Sequence, residues 1–278
     1  MKSNQLTIKF NGTISILILH PTFAVMRKVI ALTFFIACLH TVVCGQSRSN
    51  LGDTIVNAKL IQFSYAIQFP FADMADRFGN NSSLGASFSF KMAHNWMIGF
   101  EGNFLFGGNI KEDTILDHLF TSQGFLIGTN GYAESVLLFE RGMTFWGKFG
   151  KLFPVMKGNP NAGINVLLGA GFLQHKIKIE DPDNAVPYVT GDYSKGYDRL
   201  TNGFALTQYV GFLNLDKRKF LNFNAGIELI EGFTKNRRDY NFDQMKKDDA
   251  SRIDILVGLK IAYILPFYGR GEQRFYTN

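Results

Sequence analysis

Cysteine is nearly absent from this sequence: Cys38 and Cys44 are the only two in 278 residues. Both fall in a leader-like stretch, so a chain cleaved after Gly45 carries no disulfide and no thiolate ligand. An exported chain without disulfides needs another source of stability, and a closed β structure supplies one. Charge is also scarce, with charged residues at 19% against the quarter or so usual in soluble domains. That leaves room for an apolar exterior. Positive charge is scarcer than it looks. Lys2, Lys9, Arg27 and Lys28 stand in the first 45 residues with no acid beside them; without these four, 25 Lys and Arg face 23 Asp and Glu, so the formal charge falls from +6 to +2. The basic balance belongs to the leader, and nucleic acid is excluded as a partner because its electrostatic footprint is missing.

The leader reads as a secretory signal. Met26-Arg27-Lys28 precedes an apolar run from Val29 to Val43 that is too short, with these flanks, for a membrane helix. Residues 26–45 are therefore expected to be a signal peptide, and 1–25 an upstream extension or part of the leader. The rival reading, a lipoprotein signal ending at Cys44, meets Val43 and Thr41 where a small residue and usually leucine are needed. The expected organisation continues with an N-terminal periplasmic segment at 46–59, a β-barrel at 60–268 and a C-terminal tail at 269–278.

What the sequence does have is alternation. Between Leu84 and Phe106, Leu84, Ala86, Phe88, Phe90 and Met92 alternate with Gly85, Ser87, Ser89 and Lys91. After Ala93-His94-Asn95 the period of two resumes, with Trp96, Ile98, Phe100, Gly102, Phe104 and Phe106 on one face. This is a β-hairpin lying between an apolar and a polar phase. Similar strands are expected at Leu60–Phe71, Ile164–Glu180, Leu200–Leu215, Phe220–Phe233 and Ile253–Phe267, and a short helical or irregular piece at Asp113–Phe120. Tyr132–Gly150 can be cut at Glu140-Arg141-Gly142 or kept whole. Kept whole, it makes eight strands, with short connections near 93–95, 151–163 and 216–219 at one end and long ones near 72–83, 108–130, 181–199 and 234–252 at the other. An even strand number with short periplasmic turns and long external loops is the layout of a transmembrane barrel. The fold class is thus all-β, an eight-stranded antiparallel transmembrane β-barrel.

Alternation alone does not say which face is wet. The export signal, the loop asymmetry and polar faces rich in Gly, Ser and Asn all favour lipid outside over a soluble ligand-binding barrel. Two positions resist: Gln208 shares the apolar face of Leu206 and Val210, which suggests a bulge or register change, and Arg141 shares that of Phe139 and Met143. A lipid-facing arginine costs about 2–4 kcal/mol at the midplane and near zero at the interface, so Arg141 is expected at a membrane edge or a bulge.

Inside the barrel, Lys91, Glu101, Glu134, Lys148, Glu228, Asp254 and Lys260 are expected to pair as a closed network, since buried charges need partners. No nucleophile elbow frames a serine, and His94, His118 and His175 read as loop or strand-end residues rather than members of a triad. Glu180, Asp181, Asp183 and Asp192 lack the spacing of a calcium loop. No enzyme activity, metal or cofactor is expected. Arg237 and Arg238, beside Asp239 and Tyr240, and Arg199 on the preceding loop are candidate interaction residues. They can pair with phosphate in a forked geometry, or bridge to Asp192, Asp198 or Glu180 and order the loops.

Gly171–Pro182, Gly196–Gly203, Gly232–Asp243 and Ala75–Gly79 resemble a family of outer-membrane β-barrel proteins of Bacteroidota over most of the mature chain. The resemblance implies the fold and the cell outer membrane, and carries no assigned activity. The expected role is structural or partner-binding, with outer-membrane lipid, lipopolysaccharide or an envelope protein as partner. A lipid-modifying acyltransferase or lipase of the same size, or a narrow solute transporter, is the alternative.

Overall fold

The computed structural model describes residues 54–216 and 221–268; the expected signal peptide, its upstream extension and the C-terminal tail lie outside the described residues. Eight antiparallel strands close on themselves: β1 (Ala58–Ala72), β2 (Asn81–Lys91), β3 (Trp96–Gly107), β4 (Leu137–Pro154), β5 (Ala162–Glu180), β6 (Thr201–Asn214), β7 (Phe223–Asn236) and β8 (Ser251–Tyr268), with β8 pairing back onto β1. Register partners followed from Gln62 through Ser87, Glu101, Trp146, Gly171, Ala205, Gly232 and Asp254 return to β1 at Ala72, ten residues higher. Eight strands with this stagger enclose a lumen that side chains can fill. Inward glycines permit the tight curvature: a Cβ on Gly171 would stand 1.8 Å from the Phe145 carbonyl oxygen, and one on Gly150 1.9 Å from that of Val166.

The period of two sorts the faces as the sequence indicates. Outward side chains are apolar and exposed, among them Phe63, Phe69, Phe88, Phe145 and Ile227, with Phe100 at 72% and Leu168 at 61%. Inward ones include the buried Gln62, Ser83, Asn103, Thr144, Asn165 and Asn224. Such an exterior has no stable home in water, and a closed barrel satisfies every strand hydrogen bond without an edge, so the chain is a transmembrane barrel of the outer membrane. Trp96 stacks on Phe149 at 4.9 Å with the Lys151 ammonium 5.1 Å from the indole. That aromatic and basic group marks the belt's lower edge.

Three details differ from the sequence expectation or resolve it. The fourth strand is one piece, as loop parity requires, but it begins at Leu137. Gly131, at φ +79°, turns the chain so that Ala133–Glu134 pairs with Leu126–Ile127 in a separate two-stranded ribbon. Gln208 needs no bulge: β6 runs in continuous register with Leu168 on one side and Leu229 on the other, and the amide faces outward. Arg141 also faces outward, beside Lys176, Lys178 and Glu180 where β4 and β5 rise above the belt. It lies at the membrane edge.

Candidate functional site

Two constellations carry the polar chemistry, one in the lumen and one in the long connections. At mid-lumen, Glu101 (β3), Lys148 (β4), Glu228 (β7) and Lys260 (β8) meet across the barrel. Lys148 donates to Glu228 at 2.6 Å and to Glu101 at 2.9 Å, while Lys260 donates to Glu228 at 3.2 Å and to Glu101. Two acids and two bases cancel, and each is 9% exposed or less. Beneath the quartet a cavity of about 30 Å³ opens between Gln62, Ser89 and Tyr209, room for about two waters.

The other expected network residues lie elsewhere. Lys91 closes the periplasmic mouth by donating to the Val56 carbonyl at 3.0 Å and Asn161 Oδ1 at 2.8 Å, over an apolar plug of Leu60, Met97, Leu152, Leu213 and Ile264. Asp254 belongs to a second lumen group at the outer end. Its Oδ2 lies 2.9 Å from His175 Nε2 and accepts from Thr234 Oγ1 at 2.6 Å. Glu134 is outside the lumen altogether, accepting from Asn130 in the exposed ribbon, because β4 starts three residues after it.

His175 is likewise no surface histidine. It is fully buried, with Phe78 packed edge-on at 5.3 Å. The His–Asp pair supplies two of the three members of a hydrolytic triad, yet no hydroxyl bonds to the second ring nitrogen among the described residues. His118 meets Tyr197 OH at 3.3 Å, and His94 sits exposed in the turn between β2 and β3. Among the described residues no three metal-ligating side chains converge. Asp181 instead caps its own loop by accepting the Val186 N–H at 2.7 Å.

The long connections form a cap. A short helix α1 (Asp73–Arg77) follows β1, a 3₁₀ segment (Asp113–Leu119) occupies the β3–β4 connection, and two more turns (Pro187–Val189 and Tyr193–Gly196) occupy the β5–β6 connection. Their apolar side chains, Met74, Phe78, Ile115, Leu116, Val186, Val189 and Tyr197, continue the upper-lumen core of Leu105, Trp146, Leu173 and Leu256. The lumen is therefore sealed from above as well as below.

Arginines bind the cap together. Arg199, 1% exposed and held at φ +50°, donates Nη1 and Nη2 to the two oxygens of Asp243 at 2.8 and 2.5 Å and Nε to Glu112 at 2.8 Å. Arg77 joins Glu112 at 3.2 Å, Asp248 at 3.4 Å and Thr201 Oγ1 at 3.0 Å. One chain of contacts thus crosses all four connections. Arg238 forks onto Asp198 at 2.7 and 2.5 Å, and Phe242 bonds its N–H to the Gly196 carbonyl at 3.0 Å while packing edge-on against Tyr197. Among the described residues the Arg237 side chain reaches only Asn202. Tyr240 packs on Phe242 at 6.2 Å, and Asp239 stays exposed beside Arg238. Of the proposed acids, Asp198 is the one engaged; Asp192 pairs with Lys195 and Glu180 with Lys178.

Burial pushes the Asp248 carboxyl up, but the Arg252 guanidinium at 2.6 Å and the Ala250 N–H outweigh it and hold the group below its ordinary 3.8. A depressed carboxyl stabilises the folded form fully above its unfolded value and loses that contribution as pH falls through the folded one. Cap protection against protease is therefore expected to be flat from pH 8 to 5 and to fall only below pH 3.8; pH-stepped proteolysis on intact barrels checks it, and a loss beginning near neutrality would contradict it.

No protein-family model and no curated protein matches the chain. Among solved structures, the attachment invasion locus protein Ail of Yersinia pestis is 12% identical with a TM-score of 0.40, over 76% of this chain and 100% of that one. Neisserial surface protein A is 8% identical with a TM-score of 0.36, over 73% and 95%. The outer membrane protein OprG from Pseudomonas aeruginosa is 11% identical with a TM-score of 0.34, over 78% and 99%. At these identities and scores nothing is transferred from them; the barrel rests on its own register and faces.

Proposed function

We propose that this outer-membrane barrel is non-catalytic and that its cap is a fixed external surface for a macromolecular partner of the envelope or its surroundings. The observation that carries this reading is the arginine chain through all four connections, which orders loops longer than hairpins need. Preordered loops bind with a smaller entropy cost than flexible ones. On that frame Tyr132, Tyr193 and Met245 stand out at 72%, 62% and 73% exposure, and exposed aromatic and methionine side chains are the types that anchor interfaces. A lumen closed at both ends and a His175–Asp254 pair buried under Phe78, with no nucleophile beside it among the described residues, support the non-catalytic part over a lipid-modifying enzyme, and the filled lumen supports it over a transporter.

The test is site-specific photocrosslinking in intact cells from positions 132, 193 and 245, with position 100 in the lipid belt as control. A discrete protein or polysaccharide adduct confined to the cap positions is expected. Adducts with lipid alone, or turnover of a lipid ester by the purified barrel, would overturn the proposal.

A further inference from the structure

On the outward face at the belt's outer edge, Arg141 of β4 and Lys176 of β5 are direct register partners. Like charges opposed on one face of an antiparallel pair repel. Neither is closely neutralised: Glu180 lies 3.9 Å from Arg141 and Asp198 lies 3.8 Å from Lys176. Both carboxylates are already engaged, Glu180 by Lys178 at 2.6 Å and Asp198 by Arg238 at 2.5 Å. Arg141 also donates to the Glu140 carbonyl at 2.8 Å and lies over the Phe139 ring at 4.9 Å, but neither contact brings a negative charge, so the cation pair still has room for an anion from outside the chain. Below it on the same faces come Met143 and Phe145 of β4 and Gln174 and Phe172 of β5, so the anion would sit where the hydrocarbon layer ends.

The surface beside Arg141 is shaped. A polar notch of about 340 Å³ opens there, lined by Asn80, Ser82 and Gly108. Beneath it runs an apolar groove of about 940 Å³, floored by Ala86 and Gly102 and walled by Leu84, Phe104 and Phe145. The two adjoin: Tyr65 in the groove shares a 2.9 Å hydrogen bond with Ser82 in the notch, and Phe104 stacks on Phe106 of the notch wall at 6.3 Å. Cations, then hydrogen-bonding side chains, then an apolar channel run down the outer half of the belt in the order of a lipid's own parts.

We propose that this face binds a phosphorylated glycolipid of the outer leaflet, of the lipid A class. Its phosphate bridges Arg141 and Lys176, its sugar hydroxyls meet Asn80 and Ser82, and an acyl chain lies over Ala86 and Gly102. Arginine and lysine side by side suit a phosphate monoester dianion. The neighbouring amide and hydroxyl favour a sugar over a simple glycerophosphate, which offers them fewer partners. The proposal requires only the membrane-facing belt, so it stands or falls separately from the cap's macromolecular partner.

The full-length protein, purified and delipidated in non-ionic detergent, is titrated in mixed micelles with diphosphoryl lipid A and read by native mass spectrometry. Parallel arms use the same lipid A without phosphate, phosphatidylglycerol, and inorganic phosphate as competitor. The R141Q/K176Q and A86L/G102L variants, checked for folding by heat-modifiable gel migration, are each expected to weaken lipid A binding about tenfold, as is removal of the phosphates. Unchanged binding in folded R141Q/K176Q, equal binding of phosphatidylglycerol, or displacement by inorganic phosphate at equal concentration would overturn it.

Discussion

Replacing Arg199 with alanine is expected to open the cap while leaving the barrel closed. The guanidinium is 1% exposed and neutralises Asp243 and Glu112 together, so its loss strands Asp243 at the centre of the loops and leaves Glu112 to Arg77 alone. Removing one partner of a buried ion pair costs about 3–5 kcal/mol, here local to the cap. A segment that opens before cleavage is then cut roughly 10² to 10⁴ times faster. Arg199→Lys keeps the charge without the fork and should fall between. Among the described residues, Arg237→Ala removes only contacts to the half-buried Asn202 side chain and carbonyl and should change cleavage little. Limited proteolysis of membrane-embedded protein, with heat-modifiability as the check on the barrel, measures all three. Equal cleavage of the Arg199 and Arg237 variants would refute the cap's architecture as described.

How much of this was readable beforehand follows from where the information lies. Strand count and sidedness follow from pattern, since a period of two and the parity of short and long connections suffice to keep Tyr132–Gly150 whole, which the structure realises as Leu137–Pro154. The inward placement of His175 was legible too, because it shares its face with Leu173 and Ile177; treating it as a strand-end residue ignored that alternation. Glu134 was misplaced for the opposite reason: alternation near Tyr132 continued in the letters, while Gly131 turned the backbone away. Gln208 on an apolar face suggests irregular pairing, yet uninterrupted ladder bonds keep β6 regular with a polar side chain on its outer face. The cap was the least accessible. Arg77, Glu112, Arg199 and Asp243 come from four different connections, and no spacing in the chain marks them as neighbours. Arg238 and Asp198 were within reach because charge composition alone paired those two loops.

The lumen quartet supplies the second large effect. Lys148→Met leaves Glu101 and Glu228 facing the single ammonium of Lys260, with almost no solvent to screen the excess carboxylate. The variant is expected to lose about 3–5 kcal/mol of barrel stability, seen as a lower urea midpoint with an unchanged slope. Glu228→Gln alone should be similarly costly, since it leaves two ammonium groups around Glu101. The two changes together remove one charge of each sign and retain the Lys260–Glu101 pair. Neighbours that share one network do not add, so the double variant should recover at least half of the summed losses. Reversible unfolding in lipid vesicles, followed by the gel shift of the folded barrel, gives all three stabilities. If the losses simply add, the four groups act as independent side chains rather than as one neutral cluster, and the quartet is not what holds the middle of the lumen together.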